Sequence, residues 1–89
     1  MLDRAARTTL ARVECLVERI LEQKGKARPA TVDTPLVDAG LTSMDMVNLM
    51  LAVEADFDIM IPPAEITPGN FRSIASIEAM VARTVAEAA

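Results

Sequence analysis

Asp38–Phe57 reads DAGLTSMDMVNLMLAVEADF, a loop that passes through Gly40 and turns almost at once into an apolar run. From Ser43 onward the apolar positions recur every three or four residues, the period of one helical face. Met46, Leu49, Met50, Val53 and Phe57 fit a stripe facing a core. Met44, Val47, Leu51 and Ala55 keep the same period on another part of the surface, and the polar residues between them (Asp45, Asn48, Glu54, Asp56) are sparse. A helix apolar around most of its girth is normally buried on all sides, which an 89-residue chain cannot easily arrange. Two readings stand. Either the stripes merge into one wide core face, or the second stripe is an exposed docking face for partner proteins, apolar and rimmed by charge. Methionine suits such a face because its flexible, polarizable side chain adapts to several partners.

The flanking sequence is helical as well. From Leu2 to about Gln23, Ala6, Leu10, Val13, Val17 and Ile20 step by three or four, with Leu16 and Leu21 widening the stripe. Gly25 supplies a stop, and Lys24 and Lys26 suit a helix C-terminus. Cys15 falls opposite the stripe and is expected to be partly exposed. A long connection follows, with Pro29, Pro35 and Gly40, in which Leu36, Val37 and Leu41 are expected to pin the backbone to the core. Loops of this length in a small domain are often functional. After Phe57, IMIPPAEITPGN allows at most one short helical turn around Pro63 to Thr67. Ser73 is a good N-cap for a last helix with a stripe of Ile74, Ile77, Met80, Val81 and Val85. DIMIP (Asp58 to Pro62) is too short and too close to its prolines for a strand. The expected fold is all-α: one domain over residues 1–89, a small four-helix bundle of three long helices and a short third one.

Composition narrows the function. The net charge of −4 disfavours binding nucleic acid through its phosphates. No apolar run reaches membrane-spanning length, and MLDRAARTTLARVE is too polar for a signal-peptide core. The single cysteine forms no disulfide framework and no cysteine metal site, so a cytoplasmic protein without a metal is expected, and a monomer is expected as well. Histidine is absent, and histidine is the usual base that activates serine or cysteine. Lys24 and Lys26, in QKGKARP, lie far in sequence from Ser43, and no Gly-x-Ser-x-Gly turn is present. The chain is therefore expected not to be an enzyme.

Ser43 stands where loop meets helix. Thr42 or Ser43 could cap the helix, and Thr42 with Asp45 three residues on gives a variant capping box. If Thr42 takes the cap, the Ser43 hydroxyl is free. The helix N-terminus offers unpaired N–H groups and a positive dipole end, which favour an attached phosphate there. Gly40 lets the preceding loop turn without steric cost.

DAGLTSMDMVNLMLAVEADF resembles the phosphopantetheine-attachment region of acyl and peptidyl carrier proteins, whose pattern is Asp-x-Gly-x-Asp-Ser-Leu followed by Asp-x-Val and a hydrophobic helix. The resemblance extends to size and helix order over nearly the whole chain. It implies that Ser43 receives 4′-phosphopantetheine from coenzyme A through a phosphopantetheinyl transferase. The thiol of that arm would carry an acyl or aminoacyl group as a thioester, loaded by an acyl- or amino-acid-activating ligase and passed to a downstream acyl-accepting enzyme. Asp38, Gly40, Thr42 and Met44 match positions around the attachment serine, and Met44, Asp45, Val47, Asn48, Leu51 and Ala55 match the helix that such carriers present to partners. Thr42 replaces the usual aspartate. Asn48 and Ala55 replace residues often acidic in fatty-acid carriers, which brings the chain closer to the free-standing aminoacyl carriers. The alternative is an unmodified helical adaptor that binds partners through Met44, Val47 and Leu51, with Ser43 only a cap.

Overall fold

The computed structural model describes residues 8–88. Its helices are α1 (Thr9–Gln23), α2 (Leu36–Ala39), α3 (Ser43–Phe57) and α4 (Ile74–Ala88), with a 3₁₀ turn at Pro63–Glu65. Among the described residues there is no strand. The three long helices and the short turn near Pro63 are those expected. The portion of the first helix expected from Leu2 to Arg7 lies outside the described residues.

Local chemistry sets the ends of each helix. Thr8 caps α1 by accepting from the Ala11 amide at 3.1 Å. Gly25, at φ +70°, closes it: its N–H reaches the Glu22 carbonyl and the Lys26 N–H reaches the Leu21 carbonyl at 2.8 Å. That pair of bonds is the Schellman arrangement, and it needs a residue free to adopt positive φ. Ser73 caps α4, accepting from the Ser76 amide at 3.2 Å.

Val13, Leu16, Val17 and Leu21 of α1 pack with Ile74, Ile77, Met80 and Val81 of α4 and with Leu49 and Val53 of α3. Phe71 is the aromatic in this otherwise aliphatic and methionine core. Arg12 fastens α1 to the end of α3. Its Nε donates to Asp56 Oδ2 at 3.0 Å, and its guanidinium lies 4.0 Å from the centre of the Phe57 ring. Cys15 is half-buried on α1, in keeping with partial exposure.

The long connection is ordered by a one-turn helix, α2, that the sequence reading did not anticipate. Backbone bonds hold the connection to the start of α4: the Leu36 amide to the Arg72 carbonyl at 2.8 Å, and the Ala75 amide to the Val32 carbonyl at 2.9 Å. Leu36 and Leu41 are buried as expected, but Val37 is 68% exposed. In a helical turn the next residue points about 100° away, so with Leu36 inward Val37 faces out. Val85 also departs from expectation and is exposed. The inward position of that turn belongs to Thr84, which is buried because its hydroxyl donates back to the Met80 carbonyl at 2.9 Å.

The core face of α3 can be tested against its outer face with one substitution on each. Leu49→Ala, at a fully buried site, is expected to cost about 2–5 kcal/mol. Leu51→Ala, at a site 53% exposed, should stay within about 0.5 kcal/mol of wild type. Urea unfolding of the two variants measures both.

Candidate functional site: the head of α3

The first turn of α3 settles which residue caps it. Thr42 has extended backbone (φ −93°, ψ 174°), and its hydroxyl accepts from the Asp45 amide at 3.2 Å. Asp45 answers in kind. Its Oδ2 accepts from the Thr42 amide at 2.8 Å and from the Thr42 hydroxyl at 2.9 Å. Both capacities of the Thr42 hydroxyl, donor and acceptor, are thus engaged. An aspartate at this position could not donate and would set a second carboxylate against Asp45, so the threonine suits the local geometry.

Ser43 is the first residue of the helix, is exposed, and its hydroxyl makes no hydrogen bond among the described residues. The capping box engages the Asp45 amide, and the Met46 amide bonds the Thr42 carbonyl. The Ser43 and Met44 amides precede those bonds, and donors in that position of a helix lack intrahelical partners. A phosphate ester on Ser43 would therefore meet unpaired N–H groups and the positive end of the α3 dipole.

Both lysines come to this junction, which sequence distance had hidden. Lys24, at the C-cap of α1, pairs its ammonium with Asp45 Oδ2. The Lys24 ammonium, followed by the bonds from Thr42, holds the Asp45 carboxyl well below its ordinary 3.8, down to about 2. Lys26 lays its aliphatic stem beside Gly40, where an added Cβ would meet the Lys26 methylenes at 3.4 Å. Gly40 also has φ +113°, a conformation other residues rarely adopt. The Leu41 amide reaches back to the Leu36 carbonyl at 3.0 Å, closing α2 directly before the cap. Asp38 projects from α2, exposed.

The remaining predicted positions separate cleanly. Met44, Val47, Asn48, Leu51 and Ala55 are exposed, while Met46 and Met50 are half-buried against the core formed with Leu49 and Val53. The stripes do not merge. Asp45 differs from the others, since its carboxylate is turned to Thr42 and Lys24. Beside Ser43 an apolar groove of about 590 Å³ is lined by Val37, Val47, Met50, Ile66, Phe71 and Arg72, among others. The places of Lys24, Lys26, Ile66 and Arg72 at this site are not legible in the sequence, because nothing local to them signals a neighbour many residues away.

The phosphopantetheine attachment site family matches residues 11–83. The chain belongs to this family of carrier proteins, which hold a covalent 4′-phosphopantetheine and are not enzymes. Aminoacyl carrier protein 1 of Bradyrhizobium diazoefficiens is 59% identical over 70 residues, spanning 79% of this chain and 78% of that protein. A chain in the crystal structure of the Bradyrhizobium japonicum glycine:[carrier protein] ligase, complexed with its cognate carrier protein and an analogue of glycyl adenylate, superposes with a TM-score of 0.76. It is 48% identical, covering 84% of this chain and 96% of that one. A chain in the structure of the same ligase with glycylated carrier protein gives 0.69 and 56% identity, over 80% and 96% of the two chains.

Capping is expected to belong to Thr42 alone. Thr42→Ala should lose about 0.5–2 kcal/mol, whereas Ser43→Ala should remain within about 0.5 kcal/mol of wild type. Thermal or urea unfolding distinguishes the two.

A lowered carboxyl pKa also gives a pH signature. The stabilisation by Asp45 is fully present above its ordinary 3.8 and is lost as pH falls from there to about 2. The stability gap between wild type and Asp45→Asn should therefore be constant above about pH 5 and close towards pH 2. Urea unfolding at a series of pH values checks this.

Proposed function

We propose that the Ser43 hydroxyl is the attachment point of 4′-phosphopantetheine and that this chain carries an aminoacyl group as a thioester on the thiol of that arm. The observation that carries the reading is the exposed Ser43 hydroxyl, left unengaged because Thr42 caps α3. A free hydroxyl at an accessible helix head suits attack on the pyrophosphate of coenzyme A, forming the Ser43 phosphodiester and releasing adenosine 3′,5′-bisphosphate; the base that takes the hydroxyl proton would come from a phosphopantetheinyl transferase, since the chain has no histidine. The arm, when attached, supplies a mobile thiol; the residues of this chain orient its anchor. The first-turn amides and the α3 dipole favour the phosphate charge. Lys24 and Lys26, placed on Asp45 and beside Gly40, hold the loop that presents the serine.

The similarity to aminoacyl carrier proteins and to chains crystallised with a glycine-activating ligase supports an aminoacyl cargo, with glycine the first to test. The partners of the reading are the transferase, an amino-acid-activating ligase, and a downstream enzyme that takes the aminoacyl group. Asp38, Gly40, Thr42 and Met44 frame the attachment point, and Met44, Val47, Asn48, Leu51 and Ala55 form the face offered to partners. No helix among the described residues is long and apolar enough to cross a membrane. A cytoplasmic monomer fits the single cysteine and the supply of coenzyme A. The unmodified adaptor is less favoured, because it leaves the free serine at the helix head without a purpose.

Incubation of the protein with coenzyme A and a broad-specificity transferase should add one phosphopantetheine, seen by mass spectrometry, and Ser43→Ala should stay unmodified. Unmodified wild type, or a modified Ser43→Ala, would refute the assignment.

A further inference from the structure

Every carboxylate on α3 is engaged inside the molecule. Asp45 accepts from Thr42 and from Lys24. Glu54 Oε2 accepts from the Ile61 amide at 2.9 Å, tying down the segment that follows the helix. Asp56 Oδ2 accepts from Arg12 Nε at 3.0 Å. The helix contains no basic residue. What it turns outward is Met44, Val47, Asn48, Leu51 and Ala55, apolar except for one neutral amide.

The flanking charges do not alter this. Asp38 on α2 and Arg72 on the groove wall are both exposed and opposite in sign. At physiological salt a lone surface charge is screened beyond about 8 Å. Steering of a partner requires an uncompensated patch of one sign, and α3 has none. Apolar burial is then the force available to this face.

We propose that the outward face of α3, which carries no charged side chain, is a docking face, and that the amino-acid-activating ligase meets it with an apolar, uncharged patch rather than a cluster of lysines and arginines. The proposal rests on the carrier reading above. It makes the negative charge of the chain secondary to docking, because no carboxylate belongs to the outward stripe and those of α3 are bonded to other parts of the molecule. It also gives the internal ion pairs a second effect beside holding helices together: they remove charge from the surface that must be desolvated on binding.

The test is the loading of the holo-protein by a glycine:[carrier protein] ligase with labelled glycine. The wild-type KM should change less than about twofold between roughly 0.05 and 0.5 M NaCl. Leu51→Glu and Leu51→Lys should both raise KM, each by about tenfold or more, while Val85→Glu, at an exposed site on α4, leaves it unchanged. Leu51 is half-exposed, so neither charge has to unfold the helix, and thermal melts verify this. A KM that climbs steeply with salt overturns the proposal. So does an asymmetric result in which the lysine variant fails and the glutamate variant loads normally, the pattern of a basic partner. Zero turnover at every salt concentration, by a protein that carries the arm and with every amino acid tried, overturns the aminoacyl reading together with the proposal. That outcome is distinct from either salt result.

Discussion

One carboxylate oxygen, Oδ2 of Asp45, accepts from the Thr42 amide, the Thr42 hydroxyl and the Lys24 ammonium. Lys24 is the C-cap of α1 and Thr42 the N-cap of α3, so this atom joins the end of one long helix to the start of another. The arrangement of the site follows from it. With Thr42 fully occupied, the neighbouring Ser43 hydroxyl is left to solvent. With Lys24 fixed on Asp45, Lys26 two residues on reaches Gly40 and covers the loop that leads into the cap. The ammonium also keeps the carboxyl ionised far into acid, and only the ionised form accepts all three bonds.

The same economy of placement recurs along α3. Its acidic side chains point to Lys24, to the Ile61 amide and to Arg12. In each case the acceptor fixes a neighbouring element: the end of α1, the start of the segment before the 3₁₀ turn, and the flank of α1 facing Phe57. Apolar residues that a globular protein would ordinarily bury (Met44, Val47 and Leu51) are left outside, on the surface away from the core stripe. This inversion is stable because the inner stripe of Leu49 and Val53 suffices to pack against α1 and α4. The outer stripe is left exposed, and the groove beside it is lined in part by Ser43.

Much of this is legible in the chain alone. The period of three and four located α3, and the Thr42–Asp45 spacing gave the capping box, because both signals are carried by residues within one turn of each other. Gly25 and Ser73 marked their helix ends for the same reason. Less visible was α2, whose single turn is too short for a periodic pattern and is held by the bond from the Leu36 amide to the Arg72 carbonyl, while the connection before it accepts from the Ala75 amide at the Val32 carbonyl. Val37 and Val85 misled because hydrophobicity records what a residue tolerates, not which way its turn faces. At both places a neighbour, Leu36 or Thr84, took the inward position.

By itself, the sequence determined the helical bundle, the capped junction at Thr42 and the serine beside it, since each depends on contacts within a few residues. It also raised the question of the second apolar stripe on α3 without answering it. Tertiary structure decided that this stripe faces solvent, that Lys24 and Lys26 reach the junction, and that two of the α3 carboxylates, Asp45 and Asp56, are ion-paired while Glu54 is bonded to the Ile61 amide. Those outcomes depend on which helix packs on which, and on pairings across 7 to 44 residues of chain. No local pattern specifies such pairings, because their energy is realised only once the core of α1, α3 and α4 has closed.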